Sequence, residues 1–242
     1  MSGRKRFFIE KLNGNETEVF LEGEEFIHAK TVLRVEEGAE IILLDGSGKE
    51  YFAIVAKIEK HRLLAHITGA IVGEREPETP IYLLCGALKG DKTELIVQKA
   101  TELGVSKIGV FSSEYCSAFM NGNKIDRLKK VAKEAAKQCL RSRVPEIEYF
   151  GDFESAMKSA SGYKNKLFAC EFLESNCGGD FSRLSGSTAV VVGSEGGFSH
   201  REYELSQTLG FTGISLGKRI LRAETAAIAV CTLAAFALGE LK

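Results

Sequence analysis

The spacing of apolar positions changes near residue 75. Before it, apolar and polar residues alternate in short runs: RFFIE (6–10), EVFLEG (18–23), AEIILLD (39–45), YFAIVAKIE (51–59) and LLAHITGAIV (63–72). Their β-branched and aromatic residues, broken by turn signals such as DGSGKE (45–50), read as strands. Only EEFIHAKTVLR (24–34) has helical spacing. Five or six short strands in about 70 residues predict a small β-barrel.

GEREPETP (73–80) holds two of the three prolines of the chain within a charged cluster, which neither a helix nor a central strand accepts. A domain boundary is expected there, giving domains 1–72 and 73–242. Beyond it, short apolar runs at 82–88, 107–111, 147–150, 166–170, 188–193 and 213–217 read as strands. Helical spacing covers 91–104, 124–141, 152–161, 199–209 and 223–238. Strands alternating with helices predict an α/β fold whose mainly parallel sheet is covered on both faces. The last helix, with AAIAVCTLAAFAL inside it, is too apolar to face water, so it is a core helix or a subunit interface.

In such a sheet, ligands sit beyond the carboxyl ends of the strands. Three strand ends are unusual: FACEF (168–172), GSEGG (193–197) and SLGKRILRAET (215–225). GSEGG follows a strand and precedes a helix, so its glycines let the backbone approach a ligand closely. It is neither a Walker loop nor a dinucleotide fingerprint, and a plain tight turn is its bland alternative. For Glu224 that alternative is an ion pair with Arg222 closing the helix start, and for Glu195 it is a cap on the helix beginning near Ser199.

Composition narrows the class. With 242 residues and 44% apolar content the chain can bury a full core. MSGRKRFFIE lacks the apolar region of a signal peptide, and no run nears the ~18 apolar residues of a membrane span, so a cytoplasmic protein is expected. Cysteines 85, 116, 139, 170, 177 and 231 form no CxxC pair, and the four histidines are scattered, so reduced thiols and no metal site are expected. The net charge of −1 says nothing of a polyanionic partner. Locally, residues 124–143 carry eight basic residues against two acidic ones, the footprint of a nucleic acid or an ordinary solvated helix face.

GSEGGFS together with LGKRILRAETAA resembles the last two motifs of the SPOUT class of S-adenosylmethionine-dependent RNA methyltransferases. Within that class the chain is similar to the RsmE family, which methylates N3 of uridine in 16S rRNA. Further matching segments run in family order: His28 with Val32-Leu33-Arg34, Leu44-Asp45-Gly46, Lys89-Gly90-Asp91-Lys92, 98–105, Gln138-Cys139 and 141–146. Ser194 and Lys218 stand where the family often has proline, which bears on loop rigidity rather than on chemistry.

The resemblance implies a PUA-like barrel, a C-terminal sheet tied in a trefoil knot, and a homodimer with cofactor pockets near its interface. The implied cofactor contacts are Glu171, Gly193, Ser194, Gly196, Gly197, Leu216, Gly217, Ile220, Leu221 and Thr225, the glycines being there because side chains would collide with S-adenosylmethionine. Arg222 is the implied cation for charge developing on uracil, and Glu195 the group that orients the base or accepts its proton. Arg4, Arg6, Arg34, Lys89, Lys92, Arg141 and Arg143 are the expected contacts to 16S rRNA or the small ribosomal subunit. The alternatives are a related enzyme acting on tRNA or a ribose hydroxyl, and a non-catalytic RNA-binding or ribosome-assembly protein.

Overall fold

The computed structural model describes residues 4–172 and 181–241, so Cys177 lies outside the described residues. Two compact units emerge: Met1–Glu76 with Ala136–Val144, and Pro77–Ala135 with Pro145–Lys242.

The first unit is built on β1 (Lys5–Phe8), β2 (Glu18–Leu21), β3 (Glu40–Leu44), β4 (Lys49–Ile58) and β5 (Leu63–Val72), in the order β1-β3-β4-β5-β2. β1 runs parallel to β3 and the other pairs are antiparallel. Alternation decides which side faces in: Val19 and Leu21 of β2 are buried, while Glu18 and Phe20 face out. The core gathers Phe7, Leu21, Ile41, Leu43, Val55 and Leu63. The helical stretch expected at 24–34 is α1 (Gly23–Ile27) running into a wider π-type turn (His28–Val32). It stops where Arg34 takes the left-handed conformation, at φ 49°.

Residues 136–144 belong to this same unit. Ala136 packs with Phe8, Ile42 and Leu44. Lys137 pairs with Glu25 at 2.8 Å, both side chains nearly buried. Glu76 receives the Arg141 guanidinium at 2.9 Å and the N–H groups of Ser142 and Arg143 at 2.8 and 2.9 Å.

The second unit carries a six-stranded parallel sheet in the order β11-β9-β10-β6-β7-β8. Its strands are β6 (Ile81–Gly86), β7 (Lys107–Phe111), β8 (Glu146–Phe150), β9 (Asn165–Ala169), β10 (Thr188–Val192) and β11 (Thr212–Ile214). The helices are α2 (Lys92–Glu102), α3 (Gly122–Gln138), whose last residues pass into the first unit, α4 (Phe153–Ser159), α5 (His200–Thr208) and α6 (Ala223–Ala237). α2 and α6 touch each other, with α6 on β6 and β10, while α4 packs on β7 and β8 and touches α5.

β6 and β10 are buried at every position because both faces are covered. On one face an aromatic core joins Tyr82, Phe111, Phe153, Phe168 and Phe198. On the other, α6 buries Ala227, Val230, Cys231 and Ala234. Burial pushes the Cys85 thiol up to about 12 and raises that of Cys231 as well, so both stay protonated. No described helix is long and apolar enough to cross a membrane.

Candidate active site

Three chain segments converge at the carboxyl ends of β9, β10 and β11 around a cavity of about 580 Å³, within the usual size of a small-molecule site. The first follows β9 and brings Cys170 and Glu171. Burial raises the Cys170 thiol to about 11, which leaves it neutral and a poor nucleophile. The second is the glycine turn after β10. The third is Ser215–Ala226, from the end of β11 into the first turn of α6.

The glycine turn is shaped by crowding from the protein itself. Its bend closes through the Gly197 N–H donating to the Ser194 carbonyl at 3.0 Å, with Gly197 at φ 68°. A Cβ on Gly197 would fall 2.0 Å from Glu171 Oε1, and one on Gly196 would fall 2.7 Å from Tyr115 Cβ. Gly86 at the end of β6 is needed for the same reason, since its Cβ would sit 2.4 Å from the Ser194 nitrogen. At Gly196 the clash is with the Tyr115 backbone, so there the protein itself excludes a side chain, while at Gly197 the left-handed backbone favours glycine. Phe198 then anchors the turn in the aromatic core, its ring centroid 4.2 Å from that of Phe168.

Neither bland alternative for the two charged candidates holds. α5 is capped by Ser199 and Glu202, each side chain bonding the other's N–H in a capping box, so Glu195 has no part in it. Glu195 Oε1 instead accepts from the Lys89 N–H and from Lys92 Nζ, both at 3.1 Å. Partial burial raises its pKa, but these bonds outweigh that effect and hold the carboxyl below its ordinary range. A depressed pKa makes a weak proton acceptor, which argues against Glu195 as the base and for it as an anchor of the turn. Arg222, at the N-cap of α6, has no hydrogen-bond or ion-pair partner for its guanidinium among the described residues. Glu224 does not reach it: its Oε2 is buried without a hydrogen bond.

Of the expected cofactor contacts, Glu171, Gly193, Ser194, Gly197, Leu216, Gly217, Ile220 and Leu221 line the cavity, as do Glu195 and Arg222. Gly196 turns toward Tyr115 instead, and Thr225 is exposed on the outside of α6; neither lines it. Lys92, expected as an RNA contact, also lines the cavity, and Lys89 is exposed beside it. In the first unit Arg34 and Arg143 are exposed, and Arg4 is half-exposed against Glu40. Arg6 and Arg141 are not surface groups. Arg6 makes a buried two-pronged pair with Glu50 at 2.8 and 2.9 Å, and Arg141 is buried on Glu76. Their place as RNA contacts is corrected, because a guanidinium buried against a carboxylate is out of reach of a phosphate.

Sequence reasoning missed Glu224 as more than an ion-pair partner. A buried carboxyl oxygen without a hydrogen-bond partner is costly, and the shortfall at the cavity wall marks a place for a ligand's N–H or O–H. The only sequence signal was its position in the first helical turn after an exposed basic loop.

A strand-end cavity with a glycine turn, a free arginine and an unsatisfied carboxylate oxygen suits a group-transfer enzyme that binds a polar nucleotide-like cofactor. Comparisons narrow this. Residues 75–235 match the model of an RNA methyltransferase domain, and residues 21–68 that of an RNA methyltransferase PUA domain. The chain is 32% identical over 239 residues to the ribosomal RNA small subunit methyltransferase E of Bacillus subtilis, covering 92% of each. It is 33% identical over 171 residues to the same enzyme of Mesomycoplasma hyopneumoniae, covering 69% of this chain and 74% of the relative. The chain therefore belongs to the ribosomal RNA small subunit methyltransferase E family.

Among solved structures, the family member from Neisseria gonorrhoeae bound to S-adenosyl methionine superposes with a TM-score of 0.87 at 28% identity, covering 98% of each chain. A methyltransferase from Legionella pneumophila, also in complex with this cofactor, gives 0.87 at 28% identity, covering 97% of this chain and 98% of that one. The residues here fit such a group. The cavity has the volume, Glu224 Oε2 lacks a donor that an amine or ribose hydroxyl would supply, and the walls carry both signs of charge, as a zwitterion requires.

Proposed function

We propose that this chain transfers a methyl group from S-adenosylmethionine to N3 of a specific uridine in 16S ribosomal RNA, free or within the small subunit, in the cytoplasm. The observation that carries the reading is the Arg222 guanidinium, without a partner among the described residues, on the wall of the cofactor-sized cavity, in a chain of this family. A non-catalytic RNA binder would have no need of the cavity beside it. The choice of uridine N3 rests on the resemblance of GSEGGFS and LGKRILRAETAA to the RsmE motifs.

When bound, the sulfonium supplies an activated methyl group. The work of the chain is to orient the acceptor and stabilise the negative charge that the uracil gains as its N3 proton passes to water. Arg222 is the cation for a uracil oxygen. Glu195, tied to Lys92 and the Lys89 N–H, keeps the glycine turn in place. The contacts assigned to the cofactor are Glu171, Gly193, Ser194, Gly197, Leu216, Gly217, Ile220 and Leu221, with Glu224 added. Arg4, Arg34, Lys89 and Arg143 are the remaining candidates for RNA phosphates.

The homodimer belongs to the same reading. α6 leaves Phe236 66% and Leu233 41% exposed, and Leu95 of α2 is exposed as well, an apolar set that a second copy would cover. So does the knot, which rests on the same resemblance. The deciding experiment is mass spectrometry of rRNA nucleosides from cells with and without the gene, in which N3-methyluridine disappears on deletion. An unchanged signal rejects the assignment.

A further inference from the structure

We propose that the segment joining β7 to α3 presents a stacking face, formed by Tyr115 and Phe119, for an unpaired base of the RNA substrate beside the cofactor cavity. The proposal rests on the reading that the chain acts on RNA.

Residues 112–121, SSEYCSAFMN, carry two large aromatic side chains that the fold leaves in water, Tyr115 at 52% and Phe119 at 74% exposure. This is not a loose loop shedding its side chains. The Ser112 N–H donates to the Phe150 carbonyl at 3.2 Å, the Glu114 N–H to Glu202 Oε1 at 2.8 Å, and the Cys116 thiol to the Ala87 carbonyl at 3.2 Å. Met120 is buried at the end of the segment. The backbone is pinned to β8, α5 and the end of β6, so the two rings are held outward at little further entropic cost on binding.

Position points to the substrate. Tyr115 packs against Gly196 so closely that a Cβ there would lie 2.7 Å from both its Cβ and its carbonyl oxygen. Glu195 and Gly197, on either side of that glycine, line the cavity. Tyr115 is thus anchored at its backbone against the turn that walls the cavity, and its exposed side chain lies next to that turn.

Charge points to a nucleic acid. Lys124 Nζ donates to the Phe119 carbonyl at 2.5 Å, and Lys129 and Lys130 are exposed further along α3, Lys129 lying 3.8 Å from the exposed Asp126. Glu114 is the one acidic side chain in the segment. Around the rings, Ser117, Asn121 and Asn123 are polar and exposed, so the rings do not form the continuous apolar patch a protein partner would bury. Aromatic faces flanked by lysines suit a base and its phosphates, because every base has a π-face and the backbone needs cations.

The test uses the full chain in two assays. One is the fluorescence of a single-stranded oligoribonucleotide carrying 2-aminopurine, which dims on stacking; the other is steady-state methyl transfer to small-subunit rRNA. The wild type quenches the probe. Tyr115→Ala and Phe119→Ala each lose quenching and raise KM for RNA about 10-fold, within the range of base stacking on an aromatic ring. In both, kcat and the calorimetric affinity for S-adenosylmethionine stay within about 2-fold of the wild type, while Tyr115→Phe and Phe119→Tyr keep quenching and KM because the ring is retained. Unchanged KM and quenching in both alanine variants overturn the proposal. So does a parallel loss of cofactor affinity or melting temperature, which would mean a structural role. Alanine variants that act normally on naked rRNA but fail on assembled subunits would assign the rings to a ribosomal protein, and also overturn it. A wild type that transfers no methyl group to RNA rejects the parent reading instead.

Discussion

The arginines of the first unit and those of the loop before α6 put one side chain to opposite uses. Arg6 and Arg141 are buried, each held by a carboxylate, and Glu76 is further satisfied by two backbone N–H groups. Arg219 and Arg222 lie on the cavity wall, exposed and without a partner among the described residues. A buried guanidinium is tolerated only when paired, so its removal strands a carboxylate in the interior. An exposed, unpaired one adds little to stability and keeps its charge for a ligand. Partnering, rather than residue type, separates the cations that hold this protein together from those that serve its chemistry.

The sharpest way to break that comparison is Arg6→Ala. It leaves Glu50 buried without its two-pronged partner and is expected to cost about 3–5 kcal/mol in denaturant unfolding of the first unit. Affinity for S-adenosylmethionine, measured under folding conditions, should remain, since the cavity lies within the second unit. A loss below about 1 kcal/mol would mean the pair contributes no more than an exposed one.

Arg222→Ala is the converse. Methyl transfer should fall about 100- to 1,000-fold, the usual effect of losing one donor to a developing anion, with cofactor affinity and melting temperature near those of the wild type. Near-normal turnover would return this arginine to the fold.

Glu224→Gln sharpens the comparison from the carboxylate side. Here the unsatisfied group is the acceptor, so the variant should weaken S-adenosylmethionine binding about 10-fold in calorimetry, as for a hydrogen bond to a charged group, while leaving the free protein equally or more stable. Weaker folding with unchanged affinity would make Glu224 structural. Arg4→Ala is expected to have the smallest effect. Its pair with Glu40 is half in solvent, so unfolding should shift by no more than about 0.5 kcal/mol.

The strands and helices were legible because their pattern is local. Alternation at 18–21 and the helical spacing at 223–238 each follow from which face meets the core, and β2 and α6 lie where that spacing puts them. GSEGG and SLGKRILRAET were legible as strand ends because a buried strand that breaks into glycine and charge must be leaving the sheet. Partners were not legible. LRSRVPE and MSGRKRFF read as basic surface, yet Arg141 and Arg6 meet Glu76 and Glu50, 65 and 44 positions away, through contacts that only the packed chain makes.

What the sequence determined by itself is the order of elements, the change of period near 75, and the three strand ends that wall the cavity, each set by side chains within a few residues of one another. What only the tertiary structure decided is which charges are spent and which are free. It put the end of α3 into the first unit, turned Glu195 toward Lys92 and away from α5, left Glu224 Oε2 without a donor among the described residues, and set the Tyr115 backbone against Gly196. The physical reason is distance along the chain. A charge is neutralised or a Cβ excluded by whatever the fold brings within a few ångströms, and that neighbour is seldom one the sequence places nearby.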